Sequence, residues 1–81
     1  MTINIRYFAM LQEQAGCTQE NLEIAGIEST GEFLYELLSQ KYHFALAPNL
    51  VKIAINDQFQ DWRHPVRDGD RIVFIPPVAG G

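Results

Sequence analysis

The chain has 81 residues and a net charge of −4, from ten acidic and six basic side chains. That length holds one domain and no deep cleft walled by several layers, which favours a carrier, binding module or subunit over a free-standing enzyme. The basic residues form no run, so no nucleic-acid partner is expected; the acidic balance suits solubility or docking onto a basic partner, and with neither a signal-peptide pattern nor a membrane span of ~20 apolar residues the chain reads as cytoplasmic.

Thr2 to Phe8 alternate, with Ile3, Ile5 and Tyr7 on one face and Thr2, Asn4, Arg6 and Phe8 on the other, which predicts a half-buried strand. Ala9 to Ala15 reads as a short helix or turn stopped by Gly16. Asn21 to Ile24 reads as a second strand with Leu22 and Ile24 inward. Ser29 and Glu32 have capping-box spacing and predict a helix over Thr30 to Tyr42, with Leu34, Leu37 and Leu38 facing a sheet and Phe33 beside Leu37. A loop with Pro48 leads to a third strand, where Val51, Ile53 and Ile55 alternate with Lys52 and Ala54. Asn56-Asp57 is a turn signal, and Gln58 to Gln60 reads as a short return strand. His64-Pro65 and Asp68-Gly69-Asp70 read as a loop and a tight turn. Arg71 to Ile75 is the last strand, closed by Pro76-Pro77, which cannot donate to a ladder. The expected architecture is α+β: one main helix on one face of a small mixed sheet. A body over residues 1–75 would carry an extended tail over residues 76–81.

That tail reads Pro76-Pro77-Val78-Ala79-Gly80-Gly81. The prolines stiffen the exit from the strand, and the two glycines let another backbone approach closely. Such a stalk suits presentation of the Gly81 carboxylate to a partner. An adenylating enzyme using ATP would make the carboxylate electrophilic, and sulfur attack would leave a nucleophilic thiocarboxylate. Chance ends roughly 0.5% of chains in two glycines, at ~7% glycine per position, so the pair carries weight only together with the domain before it. On the sheet face away from the helix, Phe8, Ala54, Val73 and Ile75 point outward, and Phe59 can join them. This apolar patch at the root of the tail reads as a partner site.

Asp68 to Gly81, with Tyr7-Phe8-Ala9 and Ala54-Ile55-Asn56, resembles the small-subunit family of molybdopterin synthase, the MoaD-like sulfur carriers. Pro-Pro-Val-x-Gly-Gly is the specific part, since Gly-Gly alone is shared with other ubiquitin-like carriers. The resemblance covers nearly the whole chain and implies a ubiquitin-like β-grasp fold. It implies that Gly81 is adenylated by a MoeB-like partner, made into a thiocarboxylate, and inserted into a MoaE-like large subunit. There it would donate sulfur to cyclic pyranopterin monophosphate to build the molybdopterin dithiolene. The assembly would be a heterotetramer whose catalytic residues belong to the large subunit, with no cofactor or metal resident on this chain. Residues matching Phe8, Phe59 and Ile75 lie in the family's subunit interface. The chain departs from many relatives at Ile75, where they carry Phe, and at Gln12, where they carry Arg.

Other residues read as structural. Cys17, the only cysteine, has no Lys or Arg beside it in sequence to lower its pKa, so it reads as inert and not as a persulfide carrier. His43 and His64 lack ligand spacing. Trp62 reads as a cover for the core edge, and Asp68 and Asp70 as turn residues. The rival functions are a thiamine-pathway sulfur carrier, a modifier conjugated to lysines, and a β-grasp interaction module with an inert tail.

Overall fold

The computed structural model describes residues 1–77; the tail residues Val78, Ala79, Gly80 and Gly81 lie outside the described residues. The elements run β1 (Thr2–Tyr7), α1 (Ala9–Ala15), β2 (Gln19–Glu23), β3 (Glu28–Thr30), α2 (Gly31–Tyr42), a 3₁₀ turn (Pro48–Leu50), β4 (Lys52–Ile55), β5 (Gln58–Gln60), β6 (Pro65–Arg67) and β7 (Arg71–Ile75).

The alternation in β1 and β7 buries Ile3, Ile5, Tyr7, Ile72 and Phe74 on one side. The two strands pair in parallel at the centre of a five-stranded sheet of order β2-β1-β7-β4-β5. Antiparallel neighbours β2 and β4 flank them, and β5 forms the far edge. Helix α2 supplies buried Leu34, Tyr35 and Leu38 to the core those strands line. This is the β-grasp arrangement expected from the sequence.

Four local expectations change. The cap of α2 is Thr30 and not Ser29: Thr30 Oγ1 accepts from the Phe33 amide at 3.2 Å. Ser29 is instead tied into β3, opposite Val66 of β6. The buried stripe of α2 is Gly31, Leu34, Tyr35 and Leu38, whereas Phe33 is 52% exposed and Leu37 is also exposed. Leu34 and Leu38 are buried as expected, and the stripe is displaced only toward its Gly31 and Tyr35 side, at the expense of Leu37. The segment read as a His64-Pro65 loop contains β6, which pairs with β3 as a separate two-stranded sheet and buries Val66. Three residues are too short for an alternation signal. The second strand starts at Gln19, not Asn21, and leaves Ile24 just beyond it, with Leu22 and Ile24 packed on the core as expected.

The aromatic core explains why a 12-residue helix suffices. Tyr35 packs against Phe44, Trp62 and Phe74 with ring centroids 5.2–5.4 Å apart. Its hydroxyl donates to the Leu46 carbonyl at 2.7 Å, and the Trp62 indole donates to that of Val51 at 3.2 Å. Large rings are buried here without orphaning their polar ends. Trp62 thus covers the core edge, as expected.

Candidate functional site

The open side of the sheet, away from α2, carries the candidate site. Strand period places Arg6 on β1, Lys52 and Ala54 on β4, and Arg71, Val73 and Ile75 on β7 on this side, because their neighbours Ile5, Ile53, Ile72 and Phe74 point into the core. Val73 lies opposite both Arg6 and Ala54, and Ile75 opposite Lys52.

Turn chemistry adds the aromatic residues. Asn56 and Asp57 both have positive φ, 51° and 71°, as a two-residue type I′ hairpin requires. That register puts Phe59 opposite Ala54. Phe59 is 68% exposed, while Ala54 forms the floor of the patch at only 8%. Phe8 follows β1 in extended conformation, caps α1 through its backbone carbonyl, and leaves its ring 51% exposed. Phe8, Ala54, Phe59, Val73 and Ile75 therefore line one shallow surface together with Arg6 and Arg71. An apolar groove of about 670 Å³ continues from Phe8 and Ile75 to Met10, Leu46, Pro76 and Pro77. Pro76 is buried and Pro77 exposed.

The Asp68-Gly69-Asp70 corner aims β7. Asp68 accepts from the Thr2 amide at 2.7 Å, and Gly69, with φ 84°, donates to the Thr2 carbonyl at 2.9 Å. Asp70 accepts from the Arg67 amide at 2.8 Å and from the Asn56 side chain at 3.0 Å. Asn56 in turn accepts from the Arg71 amide at 3.0 Å. These carboxylates hold a turn, as the sequence suggested, and the turn registers the strand that leads to the tail.

Sequence reasoning missed the charge of this face. The acidic balance of the chain suggested solubility or a basic partner and gave no hint that Arg6, Lys52 and Arg71 all stand on the open side; their alternation with core residues was the available signal. It also missed a cluster at the β2 edge of the molecule. Glu20 accepts from the hydroxyls of Tyr7 at 2.7 Å and Tyr42 at 2.6 Å, and lies 3.8 Å from both Lys41 Nζ and Cys17 Sγ. Burial opposes charge on Glu20, but the two tyrosine hydroxyls, Lys41 and Cys17 together hold its carboxyl below the usual value. Burial and the Glu20 carboxylate push the Cys17 thiol up, which fits the inert reading. His43 ends α2 in left-handed conformation, and His64 sits against the Pro65 carbonyl. Among the described residues no three His, Cys, Asp or Glu side chains are grouped to hold a metal, and no helix is long and apolar enough to cross a membrane.

Comparison with known proteins agrees with this geometry. The ThiS family model matches residues 5–81. The molybdopterin synthase sulfur carrier subunit of Escherichia coli is 32% identical, with 98% of this chain and 99% of that protein aligned. A chain of the protein–protein complex of subunits 1 and 2 of molybdopterin-converting factor from Helicobacter pylori is 27% identical, with a TM-score of 0.69 and both chains fully covered. SAMP1 from Haloferax volcanii, 20% identical over the full length of both chains, has a TM-score of 0.79 and shares the fold. With a family match across nearly all its length and an open-faced β-grasp body that delivers β7 to the tail, the chain belongs to the ThiS family.

Proposed function

We propose that the chain is the sulfur-carrier subunit of a cytoplasmic molybdopterin synthase, with the Gly81 carboxylate as its working group. The observation that carries this reading is the extent of the likeness: the family match runs through residue 81, the diglycine included. Relatives named as sulfur carrier subunits of that synthase align over 98% of the chain. The apolar open face at the root of β7 supports it by offering a surface to a larger partner.

The chemistry follows from the carboxylate. An oxygen of Gly81 attacks the α-phosphorus of ATP within an adenylating enzyme, and pyrophosphate leaves. Sulfide, or sulfur delivered at that oxidation level, attacks the acyl carbon; AMP departs with one carboxylate oxygen, and –COSH remains. Within the large subunit the thiocarboxylate sulfur forms a C–S bond to a side-chain carbon of the cyclic pyranopterin monophosphate precursor, and the oxygen substituent on that carbon leaves. Water then cleaves the acyl–sulfur bond and restores the carboxylate. Two such deliveries supply the two sulfurs of the dithiolene. Pro76, Pro77, Val78, Ala79 and Gly80 form the stalk, and Phe8, Phe59, Val73 and Ile75 the docking surface. The chain is a co-substrate and binds no cofactor of its own; ATP belongs to the adenylating partner. Two carriers and two large subunits form the working heterotetramer.

Intact mass after incubation with the adenylating enzyme, ATP and sulfide tests the proposal. The expected result is replacement of one oxygen by sulfur, lost on deletion of Gly80 and Gly81. An unchanged mass, or recovery of Gly81 joined to lysines of other proteins, overturns it. Binding to a thiazole synthase in place of the large subunit would assign the chain to thiamine assembly.

A further inference from the structure

The open face combines an apolar strip with unpaired positive charge. Val73 and Ile75 lie on β7, and a cation stands on the neighbouring strand to each side: Arg6 on β1 opposite Val73, and Lys52 on β4 opposite Ile75. With Arg71, this one face carries three of the six basic residues of a chain whose net charge is −4. Arg71 is neutralised by Asp57. Lys41, Arg63 and Arg67 also have carboxylate partners, whereas Arg6 and Lys52 form no ion pair among the described residues. Lys52 Nζ is 5.9 Å from the Phe59 ring centroid, which keeps its charge over the apolar strip. Besides Asp57, the acidic residues near this side of the sheet are Glu23, at the far end of β2, bonded to Thr2, and Asp61, which lines a shallow surface with Lys52 and Phe59 and accepts from the Arg63 amide at 2.7 Å without pairing with Lys52.

Resting on the carrier reading above, we propose that this face selects a protein partner with an apolar centre flanked by carboxylates, which meet Arg6 and Lys52. The occupant is the large synthase subunit, and the argument is charge complementarity. An anionic protein is repelled by most of this molecule and attracted at one face, so encounter is steered into the orientation that puts the root of the tail against the partner. A nucleic acid fits less well, because an apolar strip separates the two free cations and no basic run follows a backbone.

The test measures association of the full-length chain with the large subunit across a salt series. The wild type is expected to bind more weakly as salt rises. The double variant Arg6→Glu/Lys52→Glu is expected to bind about tenfold more weakly at low salt, mainly through slower association, with a flattened salt dependence. Arg63→Glu makes the same kind of charge change beside Glu32 of α2; it is expected to stay within about twofold of wild type. Arg6→Gln, which removes the charge without reversing it, should fall between, and circular dichroism confirms that each variant is folded. A double variant that binds like wild type, an equal loss in Arg63→Glu, or preferential capture of an oligonucleotide by Arg6 and Lys52 overturns the proposal. A wild type that ignores the large subunit at every salt concentration overturns the carrier reading itself, and this proposal with it.

Discussion

The two sides of β7 divide the labour of the molecule. Ile72 and Phe74 point inward and are fully buried, with Phe74 touching Tyr7, Tyr35 and Trp62. Val73 and Ile75, one residue away in each direction, point to the open side and remain half-exposed between Arg6 and Lys52. One five-residue strand thus anchors the core with one face and offers the proposed docking groups with the other. Because strand period is two, recognition can vary on the open face with little effect on the packing beneath it.

The sharpest way to break that division is to truncate both sides. Phe74→Ala should cost about 3–5 kcal/mol, out of a total near 4–12 kcal/mol for a domain of this size, and denaturant titration should show a largely unfolded or barely stable chain. Ile75→Ala should cost about 1 kcal/mol, yet weaken large-subunit binding more than about tenfold. Equal destabilisation by the two would erase the distinction. Next in size is Gly31→Ala. A Cβ there would overlap Ile53 Cδ1 with Trp62 close behind, and Ile53 is buried, so overpacking should cost about 1–3 kcal/mol. Adding Ile53→Val should recover part of the loss. Thr30→Ala should cost about 1 kcal/mol and Ser29→Ala clearly less, since Thr30 caps α2; the reverse order would restore the Ser29 capping box.

The smallest effect is confined to acid. Glu20 has a folded pKa below its ordinary 4.5, so its stabilising contribution is complete above that value and disappears as pH falls through the folded pKa. Glu20→Gln should flatten this part of the acid limb of a stability–pH curve below about pH 4.5, while leaving large-subunit binding at neutral pH unchanged. A change in that binding would tie the β2 edge to the open face.

Where periodicity was strong, the sequence was readable: β1, β4, β5 and β7 and the outward set Phe8, Ala54, Phe59, Val73 and Ile75 follow from alternation and the Asn56-Asp57 turn. What was missed depends on contacts between distant segments. Strands β3 and β6 have three residues each and exist because Ser29 meets Val66 across the fold. Tyr35 is buried through ring contacts with Phe44, Trp62 and Phe74, which all lie beyond α2 in the sequence. The Glu20 cluster joins residues 13 and 22 positions apart, which no local pattern announces. The charge of the open face was present in the alternation of Arg6 and Lys52 with core residues, but the net charge of the whole chain pointed the other way.

Strand β7 lies between β1 and β4, not at the margin of the sheet. Tension on the segment beyond Ile75 is therefore shared by two ladders loaded along their length, and many hydrogen bonds resist together. An outermost strand would instead peel away one bond after another. On the carrier reading proposed above, a partner that pulled on the chain beyond Ile75 would load both ladders together and leave the body intact.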